Sequence, residues 1–484
     1  MSVEAGKDSF VPDTLKIPPS DGTPIWKLSM ELFLNIAERL DSATCLTFSQ
    51  TCRTLYILSN ERSAYWRNAS FAHGLLPRIA PMKSFTGAEL RSTAVKSINL
   101  EWIWENRSPS VAKRIAVPTQ LHKERYFVPS GSRWLFQYGT RISKDSRIPT
   151  ILVYDMITEQ HIGESRIPVS DKIHRIVGQS LAPDMVVFAV QFVRRPHIAI
   201  CTAKFHEHDG VPGKQEIETV GNMQTGKDIT FCVFQEGLVG ITTEDEVVIQ
   251  QWDNPASQWR LDAEVEWTPR GLQVARNRLL LLERKIDDEP IKSWRIRVFD
   301  ISVVRDQEAQ QISEDETRQL RFIDSANITH APGEPFYAPY WEDRILESGV
   351  HFGFKTLLLI HTEIGEHLWH CDLRLDTEET TDGLIEERLI VVGEYIVGQE
   401  PDERPRQFLE GFILGPKASR IVWTTGDGST RIRSDWTDEN ASESRELDMH
   451  SKPMSIPRLL VFDELFGVIM QSDTSTHHAL FYFI

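Results

Sequence analysis

Several possible metal ligands lie close together between His361 and Cys371, so this segment is the first to consider for chemistry. It contains the order Glu366-His367-x-x-His370, whereas the helix of a zinc protease carries His-Glu-x-x-His. The apolar residues around it predict a strand, in which side chains three positions apart point to opposite faces of the sheet. We therefore expect ordinary surface or core histidines here and no metal site.

Residues 221–228 approximate a phosphate-binding loop. Asp228 stands where such a loop needs a hydroxyl for magnesium, and its carboxylate would repel phosphate. Residues 229–234 predict a strand, whereas a phosphate-binding loop leads into a helix N-terminus. No Ser/His/Asp set or carboxylate pair can be assembled from the spacing of other residues. We therefore expect a non-enzymatic chain without catalytic residues, metal or cofactor.

Two pairs of arginines, Arg194-Arg195 and Arg431 with Arg433, have the chemistry to recognise an acidic or phosphorylated peptide. A guanidinium group donates two parallel hydrogen bonds to a carboxylate or a phosphate, which suits it to this task. Arginines at strand ends are also common as solvated surface charges. Both interpretations stay open, and these four arginines are the candidate substrate-binding residues.

Composition and charge restrict the class of protein. The 484 residues are 40% apolar and 25% charged, which is enough for a large core. The net charge of -17 opposes binding to nucleic acid phosphates. The five cysteines are dispersed, with no Cys-x-x-Cys pair, and no apolar run predicts a signal peptide or a membrane span. We expect a cytoplasmic or nuclear protein without nucleic-acid or membrane partners.

Helical periodicity is confined to the N-terminal part of the chain. Residues 1–23 are polar and Pro-rich and predict a flexible leader. Ser29 is a candidate N-cap, and after it apolar residues recur at helical spacing in a three-helix unit over residues 24–70. Such a small unit buries little surface, so its apolar face should dock on something else. Residues 71–118 predict a linker that is helical over about residues 86–100.

From residue 119 onward, short apolar or alternating runs bounded by Gly, Asp, Asn and Pro predict strands. Three runs close on an aromatic-Asp pair, at Tyr154-Asp155, Trp252-Asp253 and Phe299-Asp300, with gaps of 98 and 47 residues. A repeat of about 48 residues fits one four-stranded propeller blade. The chain is therefore predicted to be mainly β, with a propeller-like binding domain of about seven blades, six to eight being compatible, over residues 119–484. An acidic insertion is predicted near 304–335.

The N-terminal helices carry a motif that resembles the F-box family. The family pattern joins a Leu-Pro-x-Glu start, a spaced Ile and Leu, a Leu-rich second helix, a Cys-Arg and a Trp. The matching residues are Leu28, Glu31, Leu32, Ile36, Leu40, Leu46, Cys52, Arg53, Leu55 and Trp66. Ser29 replaces the usual Pro but retains the helix cap, whereas Cys45 replaces a frequent Asp and so removes a polar contact.

The resemblance implies a substrate-recognition subunit of an SCF-type cullin-RING ubiquitin ligase. Its F-box would bind a Skp-type adaptor, and through it a cullin scaffold, while the β domain would bind the substrate. The adaptor-binding residues would be Leu28, Met30, Leu32, Ile36, Leu40, Leu46, Cys52, Leu55 and Trp66. The alternative is a non-enzymatic scaffold or regulatory binding module whose helices dock internally. A propeller enzyme is a third interpretation and would need convergent carboxylates or histidines at one mouth.

Overall fold

The structure is a computed structural model of the chain. It describes residues 29–37, 40, 42–67, 86–106, 111–129, 132–142, 147–166, 172–182, 184–193, 195–208, 211–235, 237–264, 266–275, 277–286, 294–302, 320–328, 340–346, 349–362, 365–379, 385–397, 412–414, 420–424, 429–434, 445–447, 449, 459–463, 467–472 and 477–483. The chain divides into two compact units, residues 1–72 with 85–95, and residues 73–84 with 96–484. The first is called the helical unit below and the second the propeller.

The described helices are α1 (Met30–Ala37), α2 (Ser42–Gln50), α3 (Arg53–Glu61), α4 (Ser63–Arg67) and α5 (Gly87–Asn106). A reciprocal cap starts α5, since the Glu89 amide donates to the Thr86 hydroxyl and the Thr86 amide donates to the Glu89 carboxylate. Residues through Val95 of α5 belong to the helical unit, and the rest belong to the propeller. The helix predicted over about residues 86–100 is therefore confirmed and is longer than expected.

The described strands form seven four-stranded antiparallel sheets, the blades. The first strand, β1 (Lys113–Pro118), belongs to the last blade. Blade 1 contains β2 (His122–Phe127), β3 (Trp134–Ile142), β4 (Arg147–Asp155) and β5 (Gln160–Arg166). Blade 2 contains β6 (Ile173–Ala182), β7 (Met185–Phe192), β8 (His197–His208) and β9 (Val211–Gln224). Blade 3 contains β10 (Phe231–Gln235), β11 (Leu238–Thr242), β12 (Glu246–Gln251) and β13 (Asn254–Asp262).

The remaining blades continue this order along the chain. Blade 4 contains β14 (Trp267–Ala275), β15 (Arg278–Lys285), β16 (Trp294–Asp300) and β17 (Arg321–Ile328). Blade 5 contains β18 (Tyr340–Leu346), β19 (Gly349–Thr362), β20 (Gly365–Glu379) and β21 (Ile385–Val397). Blade 6 contains β22 (Phe412–Leu414), β23 (Arg420–Thr424), β24 (Thr430–Ser434) and β25 (Arg445–Leu447). Blade 7 contains β26 (Leu459–Asp463), β27 (Val468–Ser472), β28 (His477–Tyr482) and β1.

The blades close into a ring. The first strands of neighbouring blades contact each other, as β6 contacts β10, β10 contacts β14, and β2 contacts β26. The last strand of blade 7 comes from the other end of the propeller sequence, because β1 pairs with β28 from Lys113 opposite Tyr482 to Pro118 opposite His477. This pairing joins both ends of the propeller sequence in one sheet and so closes the ring. The predicted mainly β fold with about seven propeller blades is confirmed.

Large aromatic side chains fill the space between blades. Between blades 1 and 2, the Trp134 ring stacks on Phe205 with centroids 4.1 Å apart, and Phe136 lies 5.4 Å from Phe188. At blade 7, the buried Trp104 of α5 packs on aromatic rings of that blade, with centroids 5.1 and 6.0 Å away. Such rings bury a large apolar area per side chain, so these contacts help to hold the blades and α5 together.

The aromatic-Asp pairs occupy one repeated position. Tyr154-Asp155 and Phe299-Asp300 end the third strands of blades 1 and 4, and Trp252-Asp253 directly follows the third strand of blade 3. The repeat inferred from these pairs is therefore a blade repeat. Blade 2 lies between the first two pairs and accounts for the double gap of 98 residues.

Two strands lie where the sequence predicts other features. β1 falls inside the predicted helical linker, 71–118, and β17 falls inside the acidic insertion predicted near 304–335. In β1, Ile115 and Val117 are buried and alternate with exposed residues, which is a strand pattern. The pattern is too short to identify a strand from the sequence unless the strand that pairs with it is known. The acidic residues 306–319 themselves lie outside the described residues.

A buried carboxylate in β2 makes the stability of the propeller depend on pH. The Glu124 carboxylate accepts a 2.6 Å hydrogen bond from the Tyr126 hydroxyl and lies 3.9 Å from Nε2 of His478. Burial raises the pKa of Glu124 above its ordinary value, although hydrogen bonds to Tyr126, Gln120 and Leu121 oppose the shift. A carboxylate whose pKa is raised by folding stabilises the fold only while it is protonated, so stability falls as pH rises through the interval between the unfolded and folded pKa values.

We expect Glu124→Gln to remove this dependence. The free energy of unfolding of the wild type, minus that of the variant, should decrease as the pH rises above about 4.3, where the unfolded carboxyl ionises while the folded one is still protonated. Urea unfolding at several pH values measures this difference, in which the titration of groups distant from Glu124 cancels. A difference that stays constant or increases with pH would contradict the prediction.

Candidate functional site

The first helix of the helical unit presents one face to the interior and one to solvent. The Ser29 hydroxyl accepts from the Leu32 amide at 3.4 Å, so Ser29 caps α1 as predicted. Phe33 and Ala37 are buried. Leu32 lies on the other face and is 46% exposed, while Ile36 is half-buried. A single exposed leucine is common on protein surfaces, so this face is a candidate contact surface because the motif resemblance includes it.

The other helices hold the unit together through buried side chains. Cys52 caps α3, since its Sγ accepts from the Leu55 amide at 3.4 Å. The indole of Trp66 donates to the Ser59 carbonyl at 2.6 Å, and the Tyr65 hydroxyl donates to the Cys45 carbonyl at 2.9 Å. These bonds satisfy the polar atoms of two fully buried rings, so α4 is fastened onto α2 and α3.

The start of α5 completes this core. Leu90 and Ala94 are buried. A side chain at Gly87 would place its Cβ 2.5 Å from the Asn60 carbonyl oxygen, so only glycine allows α5 to approach the end of α3 this closely. The helical unit therefore has its own core, and it does not depend on the exposed Leu32 for its stability.

The nine predicted adaptor-binding residues differ in their exposure to solvent. Leu32 is exposed, and the half-buried ones are Ile36, Leu40, Leu46 and Cys52. Leu55 and Trp66 are fully buried and belong to the core of the unit. Leu28 lies outside the described residues, and Met30 begins α1 without a described side chain. Contact with an adaptor stays a prediction for all nine, and the exposed or half-buried residues are the ones available for it.

Tyr56 is a surface aromatic residue that the sequence prediction missed. It lies on α3 beside the buried Leu55, is 46% exposed, and has the Arg91 guanidinium 4.7 Å from its ring centroid. The helical spacing of α3 could have indicated it, because Leu55, Leu58 and Ser59 lie on one face at i, i+3 and i+4 and Tyr56 lies outside that set. Tyrosine and arginine are both enriched where proteins bind one another.

The candidate substrate arginines lie in two different blades. Arg195 is exposed between β7 and β8 of blade 2, and Arg194 lies outside the described residues. Arg431 is half-buried in β24 of blade 6, next to Arg433, whose side chain is not described. Blades 2 and 6 are not neighbours, so the structure does not bring the two pairs together. A role in substrate binding stays a prediction for each pair separately.

The motifs set aside on sequence grounds fall in strands or hairpins. His361 lies in β19, and His367 and His370 lie in β20, so this segment is a hairpin. Among residues with described side chains, no group of three or more His, Cys, Asp or Glu is placed to hold a metal ion. The glycine-containing segment near Gly221 ends β9 and leads into β10, as expected for a strand-to-strand connection.

Two buried cysteines have the wrong chemistry for nucleophiles. Burial raises the pKa of Cys201 to about 11 and that of Cys232 to about 12. Both therefore remain thiols at neutral pH and act as small core residues. In the part of the chain that the structure describes, no helix is long and apolar enough to cross a membrane.

Comparison with known proteins finds similarity at the level of structure. No protein-family model matches the chain, and no curated protein matches it. The β-propeller domain of Cps50 (Swd1) from Myceliophteria thermophila is 10% identical, with a TM-score of 0.42, covering 76% of this chain and 99% of that one. The WD40 domain of SCAP from fission yeast is 10% identical, with a TM-score of 0.42, covering 76% and 98%.

A third similar structure was solved with a bound peptide. Sqt1 from Chaetomium thermophilum, bound to the N-terminus of ribosomal protein L10, is 11% identical with a TM-score of 0.39, covering 76% of this chain and 98% of that one. The propeller assignment of this chain rests on its own strand order and ring closure.

Proposed function

We propose that this chain is the substrate-recognition subunit of an SCF-type ubiquitin ligase. In this role the helical unit binds a Skp-type adaptor, and the propeller binds the protein to be modified. The observation that carries the proposal is the outward face of α1, where Leu32 is 46% exposed on a unit that already has a complete core. The F-box resemblance includes Leu32 and Ile36 of this face.

The division of the chain supports the same assignment. A receptor needs one surface for the ligase and another for the substrate, and the chain has two compact units with separate cores. Binding energy concentrates in a few anchors that fill pockets of the partner, and tyrosine and arginine are enriched among them. Tyr56, which is exposed on α3, adds a second apolar group to the surface of the same unit.

The proposal is tested with the full chain and a purified Skp-type adaptor. We expect Leu32→Ala with Ile36→Ala to weaken the complex by about 2 kcal/mol or more, which is roughly 30-fold in Kd, because both anchors lose their buried area. Alanine is the best helix former, so α1 should remain folded. Isothermal titration calorimetry or quantitative co-purification measures the loss.

A matched control variant is available in the propeller. Val220 is 43% exposed and Ile286 is 61% exposed, so Val220→Ala with Ile286→Ala removes comparable exposed apolar surface from the other unit. This control should bind the adaptor like the wild type. Absence of any complex, with all proteins folded, would exclude the ligase role and favour the alternative of a scaffold or regulatory binding module.

A further inference from the structure

Exposed cations collect on the first strands of blades 1 and 2. The cations are Arg125 in β2, Lys172 immediately before β6 and Arg175 in β6; their side chains and that of the neighbouring His174 are exposed. Among the described strands, first strands of neighbouring blades contact each other at more junctions than fourth strands do, so we assign the first strands to the inner wall, where the blades converge. Exposed side chains on these strands therefore lie at the central channel.

Arg125 and Arg175 occupy matching positions in adjacent blades. The pairing of β2 with β3 shifts register between His122 and Arg125, and the pairing of β6 with β7 shifts between Ile173 and Arg175. Each arginine is thus the first paired residue after an irregularity in an innermost strand. Lys123, inside the first irregularity, has a φ of 54°, a left-handed conformation that is uncommon for lysine. Bulges of this kind redirect side chains and are frequent near binding sites.

Local contacts hold the two guanidinium groups in place. Nη1 of Arg125 donates to the His174 carbonyl oxygen, which links β2 to β6. The Arg175 guanidinium lies 4.9 Å from the centroid of the Phe231 ring on β10. Burial, followed by the positive charges of Arg125, Arg175 and Lys172, lowers the pKa of His174. The cations therefore lie close enough to act on one another.

Among the described residues, these cations differ from other arginines of the protein in having no carboxylate partner. In blade 4, for example, each buried arginine bonds two glutamates. In the described part of the chain, no carboxylate forms an ion pair with Arg125, Lys172 or Arg175. Keeping like charges together at a channel in a protein of net charge -17 creates a local positive potential that attracts anions.

We infer that the channel mouth at blades 1 and 2 binds an acidic segment of a partner protein, whose carboxylates accept hydrogen bonds from Arg125 and Arg175. This inference rests on the proposed role of the propeller as the protein-binding unit. Individual exposed ion pairs contribute little, so a single small anion would bind weakly, whereas an extended chain contacts cations of both blades together. The overall negative charge disfavours the longer polyanions of nucleic acid.

The test uses a fluorescent peptide of about ten residues, alternating Glu and Gly, which spans roughly 30 Å when extended. The same peptide with Gln in place of Glu is the neutral control. Fluorescence anisotropy with the full chain gives Kd at about 0.05 and 0.3 M salt, since an ionic contact weakens as screening increases. The variants are Arg125→Gln with Arg175→Gln, and each single change.

The matched control variant is Lys204→Gln with Arg166→Gln. It removes the same charge from exposed positions on β8 and β5, which are third and fourth strands away from the inner wall. We expect the double channel variant to bind the Glu peptide about tenfold more weakly, each single variant to show part of the loss, and the control variant to bind normally.

Several outcomes would overturn the inference. These are equal binding of the Gln peptide, equal loss in both double variants, no binding of the Glu peptide by the wild type, or binding of a single-stranded RNA oligonucleotide in preference to it. Titration of each variant with the Skp-type adaptor shows whether a change in peptide binding is independent of the proposed adaptor binding. A channel variant that no longer binds the Glu peptide but still binds the adaptor supports the inference. If the wild type itself does not bind the adaptor, only the proposed ligase role is contradicted.

Discussion

Glu283→Ala should lower the free energy of unfolding of the propeller by about 3–5 kcal/mol, the cost of leaving buried charges without their partner. Glu283 is fully buried in β15. Its Oε2 accepts from Nε of Arg295 at 2.7 Å and from Nε of Arg297 at 2.8 Å, and its Oε1 accepts from Nη2 of Arg297 at 2.5 Å. Removing one carboxylate therefore affects two nearly buried guanidinium groups.

The measurement is urea unfolding followed by circular dichroism, which reports on the β-structure of the propeller. Glu264→Ala is the matched control. Glu264 bonds the same two arginines, at 2.7 and 3.1 Å, but its side chain is 52% exposed. Because water replaces an exposed carboxylate, the control should cost less than about 1 kcal/mol. Equal losses in the two variants would show that burial does not decide the strength of these bonds.

The second large effect is expected at the end of the third strand of blade 1. Asp155 is fully buried and accepts from Nε and Nη2 of Arg133 at 2.9 and 2.6 Å, from the Thr158 hydroxyl at 2.7 Å and from the Ile157 amide at 3.0 Å. Burial alone would raise the pKa of Asp155, but these hydrogen bonds outweigh it and hold the pKa below its ordinary value. Asp155→Ala should therefore cost about 3 kcal/mol or more at neutral pH.

Asp253→Ala tests whether the position in the blade or the burial of the side chain determines the loss of stability. Asp253 follows the third strand of blade 3 in the same aromatic-Asp pair, but its side chain is exposed. We expect its removal to change stability by less than about 0.5 kcal/mol. The loss in Asp155→Ala should also shrink as the pH falls below about 3.9, since a depressed pKa stabilises the fold only while the carboxylate is charged. A large loss for Asp253, or a pH-independent loss for Asp155, would contradict this account.

Local patterns in the sequence predicted the types of element correctly. The helical spacing after Ser29 predicted α1 with its cap, and the paired aromatic-Asp residues predicted the blade repeat. Both signals are local, because a helix or strand places neighbouring residues on defined faces whatever the rest of the chain does. For the same reason, the strand at the phosphate-loop-like segment could be recognised without a structure.

Features that depend on distant partners were not predictable in this way. β1 was assigned to a helical linker because its partner, β28, lies at the other end of the propeller. β17 was assigned to an acidic insertion because the acidic residues before it obscure a strand that is identified by its pairing with β16. The spacing of residues within a strand does not show which other strand it pairs with. Neither β1 nor β17 could therefore be recognised as a strand from the sequence alone.

Residue spacing along the chain was enough to predict the N-terminal helices and a β-rich remainder of repeated four-stranded units, whereas the exposure of Leu32 is visible only in the structure. The tertiary structure alone decided which equivalent residues are buried, since Asp155 is inside and Asp253 is outside although both end the same kind of repeat. It also brought Arg125 and Arg175 together from separate blades. The physical reason is that burial and electrostatic potential arise from all neighbours in space, whereas periodicity records only neighbours along the chain.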